Sequence, residues 1–110
     1  MTSRKEKIEA MLVDDPTDTF LRYGLAMELR GEGESSTCLT KLGELTLDKT
    51  PYVPAFFMAG QVLVELGRID EARSCLRDGI DAARQQGDGH AAAEMSELLA
   101  SIGELGEDAL

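Results

Sequence analysis

From Ser3 onward the chain alternates two kinds of stretch. In one, apolar residues recur every three or four positions; in the other, short polar breaks hold Gly, Pro or Asp. Ile8, Met11 and Leu12 form the first stripe, which predicts a helix over about Lys5 to Val13. "FLRYGLAMELRG" (20–31) and "FFMAGQVLVELG" (56–67) carry two more, through Phe20, Tyr23 and Met27 and through Phe56, Ala59, Leu63 and Leu66. Each is followed by a further stripe. Cys38, Leu39, Leu42 and Gly43 supply one; Ile69, Ala72, Cys75, Leu76, Gly79, Ile80 and Ala83 supply the other, with charges opposite. A last helix is expected from about Asp88, burying Ala91, Met95, Leu98, Leu99 and Ile102. Nowhere does a period of two persist, so no strand is expected. The pattern predicts six antiparallel helices in an all-α chain.

The breaks suggest how the helices begin and end. Asp15-Pro16 and Thr50-Pro51 have the form of an N-cap followed by Pro at the first helical position, where the missing N–H costs nothing. Pro54 falls within the first turn, among donors that are unpaired in any case. Gly31 and Gly67 are placed to stop the helices by adopting the left-handed conformation. The two apolar stretches also superpose: Phe20 on Phe56, Gly24 on Gly60, Met27 on Leu63 and Gly31 on Gly67, each pair 36 positions apart. A fixed spacing of this length marks a stacked helical repeat.

Phe56, Ala59-Gly60, Leu63, Gly67, Ala72, Leu76 and Gly79 resemble the tetratricopeptide repeat family, a helix–turn–helix unit of ~34 residues. Phe20, Gly24, Met27, Gly31 and Ser36 fit the pattern less closely. The spacing of 36, the bulky Tyr23, and "QQGDGH" in place of a closing Pro depart from it. The resemblance implies an all-α, helix–turn–helix repeat solenoid forming a single domain over 1–110. It would comprise an N-terminal helix (1–14), a first repeat (15–49), a second repeat (50–86), a C-terminal capping helix (87–103) and a frayed tail (104–110). In such solenoids, Gly24, Gly60 and Gly79 would let paired helices approach closely.

The resemblance also implies where a partner would bind. One side of the first helix of each repeat lines a concave groove that receives a peptide or helix. Here that side is read as Leu21, Leu25 and Leu29 together with Phe57, Met58 and Val64, with Arg22 and Gln61 among them. The basic clamp by which some members hold an acidic C-terminal carboxylate is missing, since only Arg22 is basic. The expected function is a non-enzymatic protein–protein interaction module taking an apolar peptide or helix. A structural homodimer burying the same face is the alternative, because about three repeats are usually needed for stability.

Charge and composition narrow the partner classes. The 110 residues hold 21 acidic and 11 basic side chains, a net charge of −10. That balance opposes nucleic-acid backbones and anionic membranes, and favours a neutral or basic protein partner. The apolar fraction of 43% suffices for an aliphatic core. The start "MTSRKEKIEAMLVDDP" carries charges where a secretory signal would be apolar, and the two cysteines do not suggest a disulfide scaffold. A cytoplasmic location is expected.

Candidate chemistry is sparse. His90, the only histidine, stands beside Asp88 at a helix start and is expected to cap or pack rather than act as a base. Cys38 and Cys75 are read as small core residues at equivalent positions of successive second helices. One His and two separated Cys make no zinc set, and "DDPTDTF" lacks the Gly and Glu of a calcium loop. The glycines follow no strand and precede no Lys-Ser/Thr, so they form no phosphate loop. Glu104, Glu107 and Asp108 are read as solvated charge. No cofactor, metal or catalytic activity is expected.

Overall fold

The structure is a computed structural model that describes residues 2–108, with side chains described for 2–103. Helices α1 (Arg4–Asp14), α2 (Thr19–Gly31), α3 (Ser35–Thr46), α4 (Val53–Glu65), α5 (Ile69–Gln85) and α6 (Gly89–Asp108) account for its regular elements. No strand occurs among the described residues, and the fold is an all-α helical repeat. The helices form two compact units, Met1–Tyr52 and Val53–Leu110.

The helix bounds set the repeat spacing at 34. Shifting α2 from 19–31 to 53–65 lays it end for end on α4, and the same shift carries the start of α3 at 35 onto the start of α5 at 69. The turns between the paired helices agree. The Gly33 N–H donates to the Arg30 carbonyl and the Glu34 N–H to the Leu29 carbonyl; the Gly67 and Arg68 N–H groups do the same to Val64 and Leu63. Both glycines are left-handed, with φ of 79° and 74°, which any Cβ would strain. The sequence expectation of 36 therefore aligns the wrong glycine. Gly31 is the last residue of α2 with no positive φ, and Gly33 closes the helix.

The N-caps are displaced in the same way. Asp15 ends α1, its N–H donating to the Met11 carbonyl at 3.0 Å, and Pro16 lies in the turn that follows. The cap of α2 is Asp18, whose Oδ1 accepts from the Leu21 N–H at 2.8 Å. Thr50-Pro51 likewise lies ahead of α4, which begins at Val53, whereas Pro54 does stand in its first turn.

The first unit buries Ala26 and Leu29 of α2 against Cys38, Leu42 and Leu45 of α3. Helix α1 packs on α2 but buries no residue completely. It is held by ion pairs from Arg4 to Glu28 (2.9 Å) and Lys5 to Glu32 (3.1 Å), and by Ile8 beside Gly24. Phe20, read from the sequence as a partner of Phe56, is 78% exposed. The residue one repeat before Phe56 is Arg22, which engages Asp48 instead.

In the second unit α4, α5 and α6 meet around Phe56, Leu76, Gly79 and Met95. A Cβ built on Gly60 would stand 2.6 Å from Leu76 Cδ2, and one on Gly79 would stand 2.5 Å from Phe56 Cβ and 2.6 Å from Met95 Sδ. Close helix approach at Gly60 and Gly79 is thus realised. At Gly24 the nearest atom, Ile8 Cδ1, lies at an ordinary 3.5 Å. The counterpart of Gly60 in the first unit is Ala26, and it is fully buried.

Candidate functional site

The second unit sorts the residues of α4 by side. Phe56, Ala59, Gly60 and Leu63 are buried, with Leu76 of α5 lying against Gly60 and Gly79 against Phe56. Phe57, Gln61 and Val64 recur at spacings of four and three, which places them in one row on another side of the helix, with Met58 beside them. All four are half-buried. These are the residues that the sequence assigns to a partner-binding face. In α4 that assignment falls on three half-buried apolar side chains and Gln61.

In the first unit the assignment is displaced by the error in repeat spacing. Leu21, Leu25 and Leu29 stand one repeat before Ala55, Ala59 and Leu63, all of them core residues. Leu29 is 6% exposed, so it belongs to the α2–α3 seam and offers no surface. Leu21 and Leu25 are half-buried. Arg22 forms a two-pronged ion pair with Asp48, Nη1 to Oδ2 at 2.7 Å and Nη2 to Oδ1 at 3.3 Å, which raises the guanidinium pKa further. Arg22 and Leu25 also line a small notch of about 150 Å³ with Leu12, Pro16, Lys41 and Glu44.

The residues of α2 one repeat before Phe57, Met58, Gln61 and Val64 are Tyr23, Gly24, Met27 and Arg30, and sequence reasoning missed them as a face. All four are half-buried. Tyr23 meets Tyr52 edge to face at a centroid separation of 5.4 Å, and burial raises its phenol pKa. The signal that would have found this face is the pairing of Leu29-x₃-Gly33 with Leu63-x₃-Gly67.

The reactive residues are accounted for locally. His90 is exposed and pairs with Glu94 one turn on, while Asp88 caps α6 by accepting from the Ala91 N–H at 3.1 Å. The thiols of Cys38 and Cys75 are free of any disulfide. In the observed register Cys38 matches Ala72 and Cys75 matches Lys41, so the two cysteines are not equivalent. The Cys75 thiol donates to the Phe56 carbonyl at 3.5 Å, and burial pushes its pKa up to about 11. Among the described residues no three His, Cys, Asp or Glu side chains are grouped to hold a metal, and no helix is long and apolar enough to cross a membrane. The side chains of Glu104, Glu107 and Asp108 lie outside the described residues.

No protein family model matches the chain. No curated protein matches it. Solved structures do. A tetratricopeptide repeat domain protein from Salinibacter ruber is similar in its solution structure, at 29% identity over 78% of this chain and 87% of that one, with a TM-score of 0.74. A crystal structure of a tetratricopeptide repeat domain protein from the same organism gives 28% identity over 80% and 98%, with a TM-score of 0.73. A Bordetella parapertussis protein known from its solution structure gives 27% identity over 94% and 90%, with a TM-score of 0.79. With six helices among the described residues, a repeat spacing of 34 and these neighbours, the chain is a tetratricopeptide-repeat-like, all-α helical repeat protein.

Proposed function

We propose that the chain is a non-enzymatic protein-interaction module, a single domain that takes an apolar peptide or helix of a partner on the first helices of its repeats. The observation that carries this is the row Phe57, Gln61 and Val64, with Met58, on α4. A helix apolar on nearly all sides is one that something covers, and these side chains are only half-buried. The matching row of α2, in the first unit, is Tyr23, Met27 and Arg30. A net charge of −10 favours partner segments with neutral or basic flanks, acting on encounter rate more than on affinity. The same charge opposes nucleic-acid backbones and anionic membranes, and a cytoplasmic setting belongs to the same proposal.

The test is selection of random peptides displayed on phage against the whole chain, followed by titration of the enriched peptides into variants. Apolar-anchored peptides should lose at least tenfold in affinity on Val64→Glu or Gln61→Glu while the helical circular dichroism stays intact. Selected peptides that bind both variants as tightly as the parent would refute this face. A chain that sediments as a dimer, and as a monomer after Val64→Glu, would favour the homodimer instead.

A further inference from the structure

The internal repeat reveals a second surface, on α5 and α6. Asp18 caps α2 and Asp88 caps α6 by the same two bonds, side chain to the third residue's N–H and carbonyl to the fourth's. This sets position 26 of α2 on 96 of α6, and 29 on 99. In α2, Ala26 and Leu29 are buried, and α3 packs on that helix. In α4 the matching Gly60 and Leu63 are buried as well, with Leu76 of α5 against Gly60. In α6 the matching Ser96 and Leu99 are only half-buried. They line an open groove of about 390 Å³ with Arg77, Ile80, Asp81 and Arg84 of α5.

The charges on this groove oppose those of the chain. Arg77 and Arg84 are exposed and stand seven residues apart, two helical turns or about 10.5 Å along one side of α5. Other arginines are engaged: Arg22 by Asp48, Arg68 by Glu71 and Arg73 by Asp70. Among the described residues neither Arg77 nor Arg84 has an ion pair, although Asp81 lies between them. Arg84, in the last turn of α5, suits the helix dipole, but Arg77 in mid-helix has no such role. Two such guanidiniums beside Ile80 and Leu99 match a helix with a narrow apolar stripe and carboxylates two turns apart.

We propose that the α5–α6 groove receives an acidic amphipathic helix from a partner protein, seated against α6 as α3 is seated against α2. Small and apolar residues of that helix meet Ser96 and Leu99, and its carboxylates meet Arg77 and Arg84. This surface lies outside the α4 row proposed above, and its partner has the opposite charge.

The probe is a pair of fluorescein-labelled synthetic helices titrated into the whole chain. Both carry an Ala, Leu and Ala stripe at the spacing of Ala72, Leu76 and Gly79; one has glutamates two turns apart at its flank, the other lysines. The glutamate peptide should bind at least tenfold more tightly than the lysine peptide. Arg77→Gln with Arg84→Gln should erase the difference, and Arg77→Glu with Arg84→Glu should invert it. Val64→Glu should leave it unchanged, which separates this surface from the α4 row. Equal binding of the two peptides, or a preference that survives the arginine changes, overturns the proposal. So does a chain that sediments as a dimer and becomes a monomer with Arg77→Glu and Arg84→Glu, because the occupant is then a second copy.

Discussion

Replacing Gly79 by alanine isolates what helix contact contributes in the second unit. In the middle of α5 the change favours the helix, by about 0.8–1.0 kcal/mol on intrinsic propensity. The added Cβ, however, would stand 2.5 Å from Phe56 Cβ and 2.6 Å from Met95 Sδ. Carbon atoms in contact prefer about 3.5–4.0 Å, so the shortfall toward Phe56 is about 1 Å. A Cβ has no side-chain torsion by which to withdraw, and relief requires α4 and α5 to separate. Overpacking of this kind costs about 2–3 kcal/mol, leaving a net loss of about 1–2 kcal/mol. Gly43→Ala is the control. It too is interior to a helix, α3, but an added Cβ there meets nothing within 4 Å, so only the gain of about 0.8 kcal/mol remains. Urea unfolding followed by helical circular dichroism reads both, and with a slope of about 1–2 kcal/mol per M the midpoints should separate by at least about 1 M. A Gly79→Ala chain as stable as the parent would show that the helices are not held at this separation.

Further outcomes follow from the other contacts. Gly33→Ala should destabilise by about 1 kcal/mol, because its φ of 79° strains any Cβ, while Gly31→Ala, with open space and no positive φ, should be neutral or stabilising; urea midpoints that rank the two the other way would restore the register of 36. Arg22→Gln and Asp48→Asn should show a coupling of about 0.5–1 kcal/mol in a double-mutant cycle, weakening in high salt, and additive losses would mean the pair is incidental. Cys75 should react with iodoacetamide at pH 8 about a hundredfold more slowly than a thiol of pKa 9.0, since its own pKa is about 11. Because the folded pKa is the raised one, the native state holds its proton where the unfolded chain has lost it. Stability should therefore be complete below pH 9 and fall between pH 9 and 11, and Cys75→Ala should remove that part of the pH dependence.

How much of this is legible in the sequence depends on which residues set the register. Period and polarity alone locate six helices, because each carries apolar residues at helical spacing between polar breaks. The spacing between units is misjudged, because four chemically attractive pairs, Phe20 with Phe56 among them, agree on 36. The structure shows why such pairs mislead. Gly24 and Gly60 look alike, but only Gly60 has a neighbour too close for a side chain; Phe20 and Phe56 look alike, but Phe20 lies in solvent. What folding constrains is the turn and the seam. Gly33 and Gly67 alone in these two helix–helix turns must take the left-handed conformation, and Leu29, Cys38 and Leu42 with Leu63, Ala72 and Leu76 must fill the space between paired helices. Those residues agree on 34. The candidate face goes astray in the first unit only: Leu21, Arg22 and Leu25 stand 36 positions before Phe57, Met58 and Gln61, and Leu29 joins them through its spacing of four. Leu29 proves to be core, while the half-buried Tyr23 and Met27, read from the sequence as a packing stripe, stand at the positions of the α4 row. The groove on α5 and α6 is hidden for a different reason: its apolar residues look like ordinary core in the sequence. They stand out only when the caps at Asp18 and Asp88 align α6 with helices whose same positions are covered.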